Sequence, residues 1–127
     1  MSGDILISEM ENIILSVRRQ LTCCRLSLAS ELALHSDIAR VLDLAGIPFK
    51  REVHLGSKMR IDFIVAGRIG MEVKIKGGVS DIFRQCRKYC LSPDIAALIL
   101  ATNRPMGLPE TIEGKPAYYI SLGQAWL

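Results

Sequence analysis

Asp62, Glu72 and Lys74 are the residues whose types and spacing could do chemistry. They stand in two short segments that otherwise read as apolar strands. From Met59 to Val65, Ile61, Phe63 and Val65 alternate against Arg60, Asp62 and Ile64. From Ile69 to Ile75, Met71, Val73 and Ile75 alternate against Glu72 and Lys74, and Ala66-Gly67-Arg68 between the segments reads as a hairpin turn. Residues opposed on paired strands lie about 5 Å apart on one face. Three charges on one face of a buried hairpin are costly unless they are paired or bind a metal. Two carboxylates with the Val73 carbonyl make a hard oxygen site suited to Mg²⁺ or Mn²⁺. Lys74 beside it could polarise an attacking water or stabilise a charged transition state. An ion-pair triad that merely fixes the strand register is the plainer reading of the same spacing.

The flanking helices supply further candidates. Glu31 and His35 are four residues apart and share a helix face, which Ile38 and Leu42 continue into the core. They either aim at a metal from above the sheet or lie on its solvated flank. After the strands, Ile82, Cys86, Tyr89 and Cys90 form the buried stripe of another helix, with Gln85 on the same side and Arg84, Arg87 and Lys88 outside. Charge is unevenly spread: residues 50–90 carry net +6, residues 1–49 net −2 and residues 91–127 net −1. A basic middle third is what a phosphate-binding surface needs, though a solvated face has the same look.

These residues need a scaffold to hold them. The spacing predicts an amphipathic helix over about 8–22 through Met10, Ile13, Ile14, Val17 and Leu21, packing on the domain or on a second copy of the chain. A second helix, capped by Ser27 or Ser30, runs to about Ala45 with Leu28, Leu32, Ile38, Val41, Leu42 and Ala45 as its stripe. Gly46 and Pro48 end it. Phe49 to Leu55 alternates as a strand near a sheet edge, with Phe49, Arg51, Val53 and Leu55 on one side. After the hairpin, Ser80 caps a helix to about Leu91. Ala96 to Ala101 is apolar throughout, as a buried central strand is. Residues 102–116 read as a loop, Ala117 to Leu122 as a last strand, and Gln124-Ala-Trp-Leu as a short helical turn. The expectation is a single α/β domain over 1–127, a mixed central sheet flanked by helices.

Met59-Arg-Ile-Asp62 followed, with nine residues between Asp62 and Glu72, by Glu72-Val-Lys74 resembles the PD-(D/E)XK nuclease superfamily. Gln85-Cys-Arg-Lys-Tyr89 resembles the QxxxY motif of its RecB-type and lambda-exonuclease-like branch. The resemblance covers about residues 30–102 and implies a restriction-endonuclease-like α-β-β-β-α-β core with an extra, accessory or dimerising N-terminal helix. It implies that Asp62, Glu72 and the Val73 carbonyl bind Mg²⁺ or Mn²⁺, with His35 near the place of a histidine ligand. Lys74 then assists the nucleophilic water, Glu31 supports a metal or its water, and Gln85 and Tyr89 contact Lys74, the metal's water or the DNA backbone. Lys58, Arg60, Lys76, Arg84, Arg87 and Lys88 would contact phosphates. Ile61 stands where the motif has proline. Cys23, Cys24, Cys86 and Cys90 do not match the spaced cysteines of the iron–sulfur members.

The expected function is metal-dependent DNA hydrolysis without strong sequence specificity, at ends or branches. The alternatives are a dimeric Holliday-junction-resolvase-like endonuclease and a non-catalytic nucleic-acid-binding module on the same fold. DNA repair, recombination and phage DNA processing all fit, and a partner protein could supply specificity. The longest apolar run, Ile95 to Ala101, is far short of the roughly 20 residues of a membrane-spanning helix. The Met-Ser-Gly-Asp start lacks a basic signal region, so a cytoplasmic protein with reduced thiols is expected.

Overall fold

The computed structural model describes residues 7–56 and 58–123. The elements are α1 (Ile7–Cys23), α2 (Glu31–Leu44), β1 (Phe49–His54), β2 (Arg60–Val65), β3 (Ile69–Lys74), α3 (Val79–Cys90), β4 (Ala97–Thr102), β5 (Thr111–Ile112) and β6 (Lys115–Ser121). They build one mixed six-stranded sheet in the order β1-β2-β3-β4-β6-β5. The first three strands form an antiparallel meander, β3, β4 and β6 run parallel, and β5 returns antiparallel to β6. The described residues therefore form an α/β protein with three helices. Among the described residues no helix is long and apolar enough to cross a membrane.

Each face of the sheet has its own core. Met10, Ile14, Val17 and Leu21 of α1 and Leu34, Ile38, Val41 and Leu42 of α2 pack with Phe63, Met71, Val73, Ile99 and Ile120. On the opposite face, Ile82, Cys86, Tyr89 and Cys90 of α3 pack with Ile64, Leu98 and Leu100. β4 is buried along its whole length, as its continuous apolar run requires. The apolar stripe of α1 is spent inside the chain, and its Arg18 guanidinium donates to the Tyr119 carbonyl at 3.0 Å. A dimer built on α1 would have to use its outer surface, where Ile7 and Leu15 are exposed.

Several expectations are corrected. Leu32 does not belong to the buried stripe of α2: it is 76% exposed, and Leu34 takes the core position. Ser30 rather than Ser27 caps that helix, its side chain accepting from the Ala33 N–H. Ser80 is not a cap either, because α3 starts at Val79 and Gly78 is the N-cap without a side-chain bond. The stretch 102–116 is not all loop. It contains β5, too short for any periodicity to announce, and β6 begins at Lys115. The helical turn expected over Gln124-Ala-Trp-Leu lies outside the described residues.

β1 and β2 do not alternate strictly, contrary to the sequence expectation. Phe49 and Phe63 pack on the α1/α2 face, but Val53, Leu55 and Ile61 pack on the α3 face. Both strands change faces at the same level, between the paired residues Arg51↔Phe63 and Val53↔Ile61. The cause is Glu52, a non-glycine residue with φ 53° in the middle of β1.

Packing at this level gives a direct test. Phe63 is fully buried, its ring 5.8 Å from those of both His35 and Phe49. Phe63→Ala is expected to cost about 3–5 kcal/mol in urea unfolding. Leu32→Ala should stay within about 0.5 kcal/mol of the parent. A comparable loss from both substitutions would contradict this assignment of the core.

Candidate active site at the β2–β3 fork

The ladder between β2 and β3 runs from Val65↔Ile69 to Phe63↔Met71 and stops there. Beyond it the strands part, which leaves backbone groups to be satisfied on both sides. The Val73 N–H is taken by the Asp62 carboxylate at 2.8 Å. Just before β2, the Met59 carbonyl already accepts from the N–H of Leu55, just past β1, so the next carbonyl, that of Arg60, points toward the gap. The Tyr89 hydroxyl of α3 donates to it at 3.0 Å, and Gln85 Nε2 donates to Tyr89 at 2.9 Å. Asp62 and Tyr89 thus close a fork that backbone pairing leaves open.

Glu72 lies in this fork and is only 2% exposed. Its Oε2 is 3.1 Å from Lys74 Nζ, and its Oε1 is buried with no hydrogen-bond partner among the described residues. Burial, reinforced by the charge of Asp62, pushes the Glu72 carboxyl up to about 8. Burial also raises Asp62, while the Val73 N–H and the charges of His35 and Lys74 pull it back. For Lys74 burial acts the other way, favouring the neutral amine, but Glu72, Glu31 and Asp62 outweigh it and hold the ammonium above its ordinary value. Tyr89 lies near enough to Glu72 to ease that carboxyl's ionisation, although its proton goes to Arg60.

α2 closes the site from the other side. His35 is buried, with Nε2 3.5 Å from Asp62 Oδ2 and Nδ1 3.8 Å from Glu52 Oε2. Nε2 also lacks a hydrogen-bond partner among the described residues. Glu31, the first residue of α2, accepts from the Ile75 N–H at 3.3 Å and so anchors the chain just past Lys74. The structure therefore brings Glu31, His35, Asp62, Glu72, Val73, Lys74 and Tyr89 to one place, and Gln85 sits behind Tyr89.

Sequence reading missed Glu52. It could have been found as the residue between Arg51 and Val53, which face Phe63 and Ile61, and hence as the strand neighbour of Asp62. His35, Glu52 and Asp62 offer one ligand atom each within 4.8 Å of one another. The orphaned oxygen of Glu72, the lone nitrogen of His35 and the hard carboxylate donors fit a divalent cation.

The basic residues divide. Lys58, Arg60, Arg84 and Lys88 line a polar cleft of about 270 Å³ with Asp81, Gln85 and Tyr89. Arg84 pairs there with Asp81 at 2.9 Å. Arg87 is engaged elsewhere, with Glu113 at 3.0 Å, and Lys76 is exposed past the end of β3. A larger cavity, about 760 Å³, lies at the hairpin tip between Pro48, Ile64 and Pro93 and holds none of these groups. Cys86 and Cys90 are buried thiols that burial pushes up to about 12 and about 11, so they remain protonated at neutral pH.

No protein-family model, curated protein or solved structure matches the chain.

The raised carboxyl of Glu72 has a thermodynamic consequence. Its ordinary value is 4.5 and its folded value about 8, so between these the folded state binds more protons than the unfolded one. Stability of the metal-free protein is then expected to fall as pH rises through that window. Glu72→Gln, neutral throughout, should flatten the slope. Urea unfolding at pH 5.5 and pH 8 measures it, and equal slopes for the two proteins would refute the assignment.

Proposed function

We propose that this chain is a metal-dependent nuclease that hydrolyses phosphodiesters in DNA, and that α2 to β4 form a restriction-endonuclease-like core. The observation that carries the reading is the buried Glu72 carboxyl, with one orphaned oxygen, next to Asp62 and Lys74 where β2 and β3 part. Such a group is expensive in an apolar sheet and acquires a use only when a cation shares it. The resemblance of Asp62, Glu72-Val-Lys74 and Gln85 to Tyr89 to the PD-(D/E)XK motifs supports the same reading.

Asp62, Glu72, the Val73 carbonyl and His35 would hold Mg²⁺ or Mn²⁺. When bound, the cation supplies Lewis acidity toward a phosphate oxygen and toward water. Lys74 remains an ammonium at neutral pH. It therefore contributes charge and hydrogen-bond donors rather than a basic lone pair. Its place beside Glu72 suits it to hold the attacking water and to offset charge developing on the phosphate. Asp62 is oriented by the Val73 N–H, and Glu31 fixes the backbone just beyond Lys74, so the reacting groups sit on rigid elements.

The cleft lined by Lys58, Arg60, Arg84 and Lys88 shares Arg60 and Tyr89 with the fork, and is where the DNA backbone would run. Contacts of this kind hold phosphates without reading bases, so substrate choice comes from an end, a branch or a partner protein.

Cleavage of labelled linear duplex, single-stranded and four-way-junction DNA with Mg²⁺ or Mn²⁺ tests the proposal. Cutting should require the cation and fall by about 10²–10³-fold in Lys74→Ala. Lys88→Ala should weaken binding alike for all sequences and lower the salt slope by about one. Product sizes separate end trimming from junction cutting. Undiminished cutting by Lys74→Ala, or failure to cut any of these substrates, would sink it; in the second case, retained salt-sensitive binding would mark a non-catalytic module.

A further inference from the structure

Glu52 stands on β1, which carries none of the motifs on which the resemblance rests. Its backbone is left-handed in mid-strand, with φ 53°, a strained conformation for a glutamate. One carboxylate oxygen, Oε1, is clamped by Arg60 Nε at 3.0 Å, and the other, Oε2, stands 3.8 Å from His35 Nδ1. On the same ring, Nε2 is 3.5 Å from Asp62 Oδ2, is buried and has no hydrogen-bond partner among the described residues.

Neither spacing is that of a good hydrogen bond, which draws such atoms to about 2.7–3.2 Å. Both suit atoms that share an ion, since ligands at about 2.0–2.4 Å from a common cation stand about 3–4.5 Å apart. With one imidazole nitrogen serving both carboxylates, the ligand atoms of His35, Glu52 and Asp62 all lie within 4.8 Å of one another. Glu72 interacts with Asp62 but does not complete such a triple with His35 and Asp62 among the described residues. An ion held by His35 and Asp62 therefore reaches Glu52 and leaves Glu72 to a separate position. The imidazole also changes which metal is favoured. Mg²⁺ takes oxygen ligands and keeps its waters, whereas a nitrogen ligand favours first-row transition ions.

We propose that His35, Glu52 and Asp62 form a cation site of their own, selective for a divalent transition ion such as Mn²⁺ over Mg²⁺. The residues assigned above to the cation then divide: Glu72 and the Val73 carbonyl serve one position, His35 and Glu52 the other, and Asp62 is common to both. The proposal rests on the reading of the fork as a cation site, though not on the cleavage of DNA. Arg60 gains a part as well. By holding Oε1 it presents Oε2 to the ion, while its own carbonyl receives Tyr89. The three ligands come from three separate elements, α2, β1 and β2, and meet where the left-handed residue turns β1.

Electron paramagnetic resonance counts the Mn²⁺ bound to the full chain, with Mg²⁺ in large excess to occupy the Glu72 position. The wild type should keep one Mn²⁺. Glu52→Gln should weaken its binding by at least about 100-fold, since even a residue that only hydrogen-bonds a ligand is worth about 10–100-fold. Glu72→Gln should leave this Mn²⁺ in place. Glu52→Gly, which removes the carboxylate and suits the left-handed backbone, should match Glu52→Gln and guards against a folding defect. Equal weakening by Glu52→Gln and Glu72→Gln would mean a single shared ion and overturn the proposal. So would an Mn²⁺ that both Glu52 variants leave unchanged, or one that Mg²⁺ displaces from the wild type. Uptake as expected without cleavage of any DNA would sink the nuclease reading and leave this site standing. No uptake of Mn²⁺, with or without Mg²⁺, would overturn both the site and the cation reading of the fork.

Discussion

The separation of β2 from β3 is the constraint on which the rest of the molecule depends. A continuous ladder would have paired Asp62 with Glu72 as two carboxylates facing each other in a dry sheet, an arrangement that like-charge repulsion and desolvation both oppose. Parting the strands after Phe63↔Met71 frees Asp62 to bond the Val73 N–H and leaves Glu72 room beside Lys74. The backbone groups so released are recaptured by side chains, Asp62 on one strand and Tyr89 on the other. The site is thus part of how the sheet satisfies itself, and removing Asp62 or Tyr89 would disturb the strands that carry it.

The two cores explain why the fork can be tolerated. The β4 strand is buried along its length and pairs with β3 without a break from Ile69↔Ala97 to Lys74↔Thr102. β3 is therefore held on its β4 side even where it loses β2. α2 and α3 clamp the two faces, contributing His35 and Glu31 from one and Tyr89 and Gln85 from the other. An irregular strand pair costs least between such supports, and it is also where closely spaced charged groups lie open. Rigid elements hold the charges while the opening supplies access.

How much of this was legible in the sequence follows from range. Helices and long apolar strands announce themselves by local periodicity, so α1, α2, α3 and β4 were readable. The hairpin was too, because Ala66 and Gly67, both at positive φ, close it as the turn residues suggest. Asp62, Glu72 and Lys74 were visible as charges without an excuse in apolar strands. β5 was not, since two residues carry no period. Leu32 misled because a leucine near a helix start fits a stripe equally well on either of two neighbouring faces. The assignment of Ile61 and Val53 failed for a non-local reason: alternation assumes extended backbone throughout, and nothing in the letters around Glu52 signals a left-handed residue, a role usually given to glycine or asparagine.

That failure leads to the residue beside Asp62 and His35 that the sequence concealed. Had β1 and β2 kept strict alternation, Ile61 would share the α1/α2 face with Phe63 and Val65, and Asp62 would be directed toward the α3 face. The twist at Glu52 exchanges them: Ile61 goes over Gly70, where the absent side chain leaves space for its Cδ1, and Asp62 meets His35. Gly70 is thereby tied to the site as well, because a Cβ there would stand 2.7 Å from Ile61 Cδ1 and press on the residue next to Asp62. A local departure from the ideal strand, a glycine on the neighbouring strand and a histidine from the preceding helix are one adjustment. Each makes physical sense only in the presence of the others, and together they turn a carboxylate that regular pleating would direct toward α3 into one that faces a potential ligand.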